Sequence, residues 1–454
     1  MRFKSQSRVM AAPFLLGAMC LLVLAGCGGS NNNTATGTTS KAVNNTAALT
    51  AGFGPEGPAG GFVNGVFVNI TVCQHGTTSC TPVNNVLVDT GSIGLRVLSS
   101  ALGSVTLSQI LQSNSALLEC IQYGDTSYSW GPMALADVQI TGEQASNIPV
   151  QVIGGTTLAA PSSCLTNPVN PNLPNGGNED TLQSLGANGI LGIAGNNGTG
   201  DGEGIFDCGS FCTTNASGSP YYICPGGNCQ EIAVATSFQA ANPVAAFSSP
   251  DKNGVMITFP AVGATGTTML LGTMNFGIGT QTDNALGAVT VYSMDPCGSL
   301  PSVNFNGVSY TDSSCTSAAG NGLGGFLDTG SNALYILDAN TLSSFGISDC
   351  SSSTNAPGFY CVSGGNVTLS NIGVVGNGVG SGTISLNIAS ATTLFNTNNA
   401  VFNDLGSDSV VGGNASTDFF DFGSPFFFGR TVFIGIGGVG GVNSGTAPAG
   451  FVAF

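Results

Sequence analysis

Two copies of one phrase, Val88-Asp89-Thr90-Gly91-Ser92 and Leu327-Asp328-Thr329-Gly330-Ser331, divide this chain into two comparable halves. Each copy follows apolar residues and runs into another apolar stretch. Leu87-Val88, Leu95, Val97 and Leu98 line up with Phe326-Leu327, Leu334, Ile336 and Leu337. An acid framed in this way sits on a tight turn at the end of a buried strand, so each half offers one carboxylate. Two carboxylates brought about 3 Å apart resist joint ionisation, which leaves one charged and one protonated. That pair is suited to activating a water and polarising a carbonyl.

The chain is long enough for two lobes. At 454 residues and 42% hydrophobic, it exceeds the size at which a single core usually stops growing. Glycine is frequent, at 69 residues, and charged residues make up only 7%. The body is rich in Val, Thr, Phe, Asn and Ser, which favours many short strands joined by glycine and asparagine turns over long amphipathic helices. The expected class is all-β, with a few short helices.

The N-terminus reads as an address. Arg2, Lys4 and Arg8 precede an apolar run that ends in Leu24-Ala25-Gly26-Cys27, the parts of a secretory signal. This ending resembles the bacterial lipoprotein signal, which makes Cys27 the lipidated first residue of a mature chain. Residues 28–58 read as a flexible tether of Asn, Thr, Gly and Ala. The expected location is the envelope of a Gram-negative bacterium, lipid-anchored, at the periplasmic or outer-membrane face. The two lobes are expected at 59–262 and 263–454.

Charge and cysteine usage narrow the chemistry further. Outside the leader, the basic residues are Lys41, Arg96, Lys252 and Arg430, against 23 acids in the chain. Such a surface excludes nucleic acid as a partner and is compatible with acid tolerance, because carboxylates lose their repulsion on protonation. The cysteines beyond Cys20 and Cys27 are even in number, which in an exported chain implies disulfides. Local pairing joins Cys73 to Cys80, Cys120 to Cys164, Cys297 to Cys315 and Cys350 to Cys361. Cys208, Cys212, Cys224 and Cys229 read as two more disulfides, with a zinc site as the alternative. His75 is the single histidine, so neither a multi-histidine metal site nor a Ser-His-Asp triad is expected. Gly435 to Gly440 matches a dinucleotide fingerprint only by glycine abundance, with no strand-helix-strand unit around it. No cofactor and no metal are expected.

Along the body, Phe62 to Val72 alternates as a strand, and a helix-like segment follows from about Ser99 to Leu118. Ile121 to Val138 reads as a hairpin with a mobile tip around Tyr123-Gly124-Asp125-Thr126. With these residues in place, the chain resembles a two-lobed pepsin-like aspartic peptidase from about Phe62 to its end. In that family each lobe supplies an Asp-Thr-Gly turn, and a Tyr-Gly hairpin flap closes over the cleft. An apolar-apolar-Gly segment also threads beside each turn. Gly189-Ile190-Leu191-Gly192 matches this segment in the first half and Phe422-Gly423-Ser424-Pro425-Phe426 in the second. Val303 to Val308 and Thr268 to Gly272 fall where the family has equivalent strands.

The resemblance implies an endopeptidase in which Asp89 and Asp328 share a water, one as general base and the other as acid. Thr90 and Thr329 brace the loops, Gly91 and Gly330 let N–H groups reach the carboxylates, and Ser92 and Ser331 donate to the outer oxygens. Tyr123, Gly124, Asp125 and Arg96 belong to the flap and substrate-binding set. Arg96 stands where the family commonly has a tryptophan, and is expected either to shift the acid pair or to pair with Asp125 and lock the cleft. Thr126 replaces a flap glycine, and no basic prosegment is expected. Insertions between Tyr123 and Gly189 and from Asp201 to Gln230 narrow the cleft or serve a partner. The implied partner is a peptide or protein substrate, with the chain a monomer. Two alternatives remain: a catalytically silent scaffold that binds a protein or glycan, and a structural outer-membrane protein, for which repeated ten-residue strands are not found.

Overall fold

The short apolar runs form strands closed by tight turns. A clear case is Asn306-Gly307, which joins Ser302–Phe305 to Val308–Thr311 with Phe305 opposite Val308. Both turn residues have positive φ, 47° and 83°, the geometry of a type I′ hairpin that Asn-Gly adopts at least cost. The computed structural model describes residues 44–60, 62–166, 176–311, 324–337, 342–408, 420–439 and 449–454. Within these the chain is all-β, with short helical turns of three to six residues. The leader with Cys27, and Cys315, lie outside the described residues.

A 17-stranded sheet takes strands from both halves, and the second half adds two four-stranded sheets and the pair Ile347–Asp349 and Tyr360–Val362. Gly65–Gln74 pairs with Cys80–Asp89, and Ser127–Ile140 pairs with Glu143–Ile153. In the second half Asn366–Val375 pairs with Ser381–Ala389 and with Ser302–Phe305. Inward Val, Leu, Ile and Phe side chains from these strands form the largest apolar cluster, which is continuous across the halves. The expected all-β, two-lobed arrangement with related Asp-Thr-Gly segments is therefore present.

Three expectations need correction. The tether does not extend to residue 58: Thr46–Gly52 is a strand between Met269–Phe276 and Gly65–Gln74, with Leu49 and Ala51 fully buried. Its alternating Ala and Leu supply the apolar face that its polar composition obscured. The boundary at 262/263 falls inside a hairpin, because Gly254–Thr258 pairs with Met269–Phe276 and also with Thr431–Gly435. The halves thus share a sheet rather than meeting at a linker. Finally, Ser99 to Leu118 is not a helix. One 3-10 turn, Ser99–Leu102, stops at Gly103, and short strands follow. Ser113 and Asn114 both take positive φ in a tight turn, a conformation that no helix accommodates.

Five disulfides lie among the described residues: Cys73–Cys80, Cys120–Cys164, Cys208–Cys212, Cys224–Cys229 and Cys350–Cys361. The four cysteines that had zinc as an alternative are thus two local disulfides, and their thiolates are not free to ligate a metal. Cys297 is also disulfide-bonded.

Candidate active site

Each Asp-Thr-Gly turn ends a strand flanked by a threading strand. In the first half Gly189–Ile193 runs parallel to Cys80–Asp89, with Gly192 opposite Asp89, and antiparallel to Ile93–Leu98. In the second, Phe420–Gly423 runs parallel to Gly325–Asp328, with Gly423 opposite Asp328, and antiparallel to Leu334–Tyr335. Small residues are needed where the strands cross: a Cβ on Gly423 would lie 2.0 Å from the Ala333 carbonyl oxygen.

The two turns hold each other by a reciprocal set of bonds. Thr90 Oγ1 donates to the Leu327 carbonyl at 2.8 Å and accepts from Thr329 N at 3.0 Å. Thr329 Oγ1 donates to the Val88 carbonyl at 2.7 Å and accepts from Thr90 N at 3.2 Å. All four bonds are buried, where leaving a partner unmade costs most. Both carboxylates sit at 7% exposure. Asp89 accepts from Gly91 N at 2.9 Å and Ser92 Oγ at 2.6 Å; Asp328 accepts from Gly330 N at 2.7 Å and Ser331 Oγ at 2.7 Å. A Cβ on Gly91 would lie 2.7 Å from Asp328 Cγ, and one on Gly330 would lie 2.7 Å from Asp89 Oδ1. Each glycine therefore clears room for the carboxylate of the opposite turn, which brings the acids face to face.

A cleft of about 360 Å³ opens over the pair and is lined by Asp89, Asp328, Tyr123, Gly124, Asp207 and Phe326, among others. The hairpin above it pairs Leu118–Gln122 with Ser127–Ile140. Its tip is closed by Tyr123 N to the Ser127 carbonyl at 2.8 Å, with Thr126 at φ 69°. The Tyr123 hydroxyl meets Ser129 Oγ at 2.8 Å. Asp125 turns back and accepts from Ser127 N and Ser127 Oγ. The insertion that follows packs against this tip: Gly176 N donates to the Thr126 carbonyl at 2.9 Å, and Gly177–Asn178 extends the hairpin edge. The tip, expected to be mobile, is held by a third strand.

Arg96 does not pair with Asp125. It is fully buried and donates to the Ile93 carbonyl at 2.6 Å, Glu119 Oε1 at 2.8 Å and Asp207 Oδ2 at 3.2 Å. Burial opposes its charge, but the Glu119 and Asp207 carboxyls override that and hold the guanidinium protonated above its ordinary range. Burial, and then the charge of Glu119, pushes the Asp207 carboxyl well above the usual carboxylate range. Tyr221 donates to Asp207 Oδ1 at 2.6 Å. The cluster ties the strand after the first turn to the flap strand through Glu119, and to the 201–230 insertion through Asp207.

Glu119, Asp207 and Asp421 escaped the sequence reading. Each is an isolated acid in an apolar or aromatic run, as in Leu117-Leu118-Glu119-Cys120-Ile121 and Phe419-Phe420-Asp421-Phe422. An acid that interrupts a buried strand is itself the signal.

The chain belongs to the family described as "Protein of unknown function (DUF3443)", whose model matches residues 41–454. No curated protein matches it. Among solved structures, it is similar to the aspartic proteinase from Irpex lacteus at 13% identity and a TM-score of 0.45, covering 90% of this chain and 96% of that one.

Proposed function

We propose that this member of the DUF3443 family is an aspartic endopeptidase that hydrolyses peptide bonds with a water held between Asp89 and Asp328. The observation that carries the reading is the reciprocal bracing of two buried carboxyls, each with one N–H and one hydroxyl donor, at the floor of a cleft beneath a Tyr-Gly hairpin. Close carboxyls share one proton. The ionised member takes a proton from the water as it attacks the scissile carbonyl, and the protonated member donates to the carbonyl oxygen and then serves the leaving amine. The donors from Gly91, Gly330, Ser92 and Ser331 keep both groups oriented. The proposal includes export and anchoring through lipidated Cys27, which places the cleft at the cell envelope as a monomer acting on a peptide or protein.

A second reading, a silent scaffold that binds a protein or glycan, is favoured by the flap tip held by Gly176 and Asn178. Cleavage of an unstructured peptide mixture from about pH 3 to 8 separates the two. Under the peptidase reading, cleavage is blocked by a statine-type mimic and lost in Asp89→Asn and Asp328→Asn. A folded chain that cleaves nothing at any pH refutes it and leaves the scaffold.

A further inference from the structure

Four strands of the large sheet lie side by side: Thr46–Gly52, Met269–Phe276, Gly254–Thr258 and Thr431–Gly435. Opposite residues share a face. Ala47, Met274, Ile257 and Val432 make one row across all four strands and are buried in the core. The next row, Ala48, Thr273, Thr258 and Thr431, therefore turns outward. Leu271, opposite Thr50, and Met269 extend this outer face and are 62% and 55% exposed. Among the large apolar side chains exposed in the described residues, these two alone share a strand. The face is also free of charge. No charged residue occurs from Ala42 to Pro55, from Asn253 to Thr282 or in Thr431–Gly435, in a chain whose net charge is −16.

We propose that this face rests on the lipid bilayer that carries the Cys27 anchor, with Met269 and Leu271 entering the headgroup boundary. The inference rests on the reading of Cys27 as lipidated and is independent of the peptidase reading. Two observations select the bilayer as the occupant. The first is where the chain enters. The Asn45 carbonyl accepts from Phe276 N at 2.7 Å, so Asn45 stands at one edge of the face. Residues 28–43 lie between Asn44 and Cys27 and can reach at most about 60 Å. A connection that short keeps the face at high effective concentration beside the lipid, where a contact too weak for a free protein is enough. The second is charge. Anionic headgroups repel an acidic chain wherever its carboxylates meet them, and this face presents none. Lys252, which is exposed, precedes Gly254 at the same edge as Asn45, since Val255 lies opposite Phe276. Its acidic neighbours are engaged: Asp251 is buried and bonded by the Thr280 and Gln281 side chains, and Asp283 accepts from the Asn45 and Asn275 amides. Met269 and Leu271 supply the apolar contact and the threonine hydroxyls meet the polar headgroup layer, as on other interfacial surfaces. None of these residues lines the cleft, so the bilayer contact and the acid pair use different surfaces.

The test uses the full lipidated chain on vesicles of phosphatidylethanolamine and phosphatidylglycerol, with a nitroxide attached at Leu271→Cys. A label at Leu111→Cys, similarly exposed but outside this face, is the control. Electron paramagnetic resonance should show the Leu271 label about fivefold less accessible to a water-soluble nickel complex on vesicles than in the unlipidated Cys27→Ser chain in solution, at the depth of the headgroup boundary. The Leu111 label should read the same in both. Met269→Cys repeats the measurement from the same face and decides if Leu271→Cys does not fold. A Leu271 label as accessible as the Leu111 label, on chains that float with the vesicles, overturns the inference and leaves the anchor standing. Shielding already present in solution, in chains that sediment as dimers, overturns it in favour of a second copy on this face. Chains that do not float with the vesicles remove the anchor reading and this inference with it.

Discussion

Replacing Arg96 with methionine isolates the buried cluster that links the first turn to the flap. Methionine fills the space of the arginine stem, so little packing is lost. The cost arises in what remains. Glu119 is fully buried and bonded through Oε1 to Arg96, while its Oε2 already has no partner. Asp207 keeps the Tyr221 hydroxyl and has burial favouring its neutral form. The penalty is thus that of one stranded carboxylate, about 3–5 kcal/mol at neutral pH. Urea unfolding of Arg96→Met should show that loss at about pH 7. Arg96→Met with Glu119→Leu should recover more than half of it, because no charge is left without a partner. A single variant within about 1 kcal/mol of wild type, or a double variant no better than the single, refutes the reasoning. The same variant frees the flap strand at Glu119, so its cleavage defect should fall mainly on KM, with any surviving kcat set by the untouched acid pair.

Asp89→Asn and Asp328→Asn should each reduce cleavage by about a thousandfold or more while preserving the near-ultraviolet circular dichroism of the fold; residual rates above about a tenth of wild type would exclude the pair as the catalytic groups. Gly330→Ala puts a Cβ 2.7 Å from Asp89 Oδ1, so activity should drop at least as far as in Asp89→Asn, with comparison of the two rates as the check. Asp404 is 2% exposed and burial pushes its carboxyl up to about 6 from an ordinary 3.8. The folded state alone keeps this proton between those values, so stability falls as pH rises through that window, by roughly 3 kcal/mol. Asp404→Asn should flatten that part of the urea stability–pH curve, and parallel curves would count against it. Lys252 is the exposed cation among the described residues, with Arg96 buried and Arg430 packed on the Phe426 ring. Cationic peptides should therefore be cleaved with a higher kcat/KM at low salt, an advantage that about 0.5 M salt removes.

The duplicated turns were legible because two requirements coincide in them. A carboxylate must be solvated by fixed donors, and those donors must lie on a turn between apolar strands, so Asp, Thr, Gly and Ser recur together with flanking Leu, Val and Ile. The same holds for Cys73–Cys80, Cys208–Cys212, Cys224–Cys229 and Cys350–Cys361, whose cysteines are close in sequence. The first strand was hidden because Thr46–Gly52 has only Ala47, Leu49 and Ala51 to bury, and its partner Met269–Phe276 is more than two hundred residues away. The false helix had apolar residues at suitable intervals, but Ser113-Asn114 formed a turn through positive φ, which periodicity does not register. Arg96 was recognised as a departure, yet its partners were not, since Glu119 and Asp207 come from the flap strand and an insertion and meet it only in three dimensions.

The two halves are symmetric where the carboxyls are held and asymmetric one layer behind. Symmetry alone gives neither acid a reason to be the charged one, because each receives the same pair of donors at nearly the same distances. A direction for proton transfer has to come from groups that the duplication does not share. Behind the first turn lie Ile190 and the Arg96 cluster, whose guanidinium is neutralised by its own carboxyls. Behind the second lies Asp421, a buried carboxyl in the threading strand itself. Burial holds the protons of Asp207, Asp404 and Asp421 above the usual range, so each of these sites makes the fold more stable relative to the unfolded chain as pH falls. These low-dielectric surroundings therefore favour the folded chain in acid.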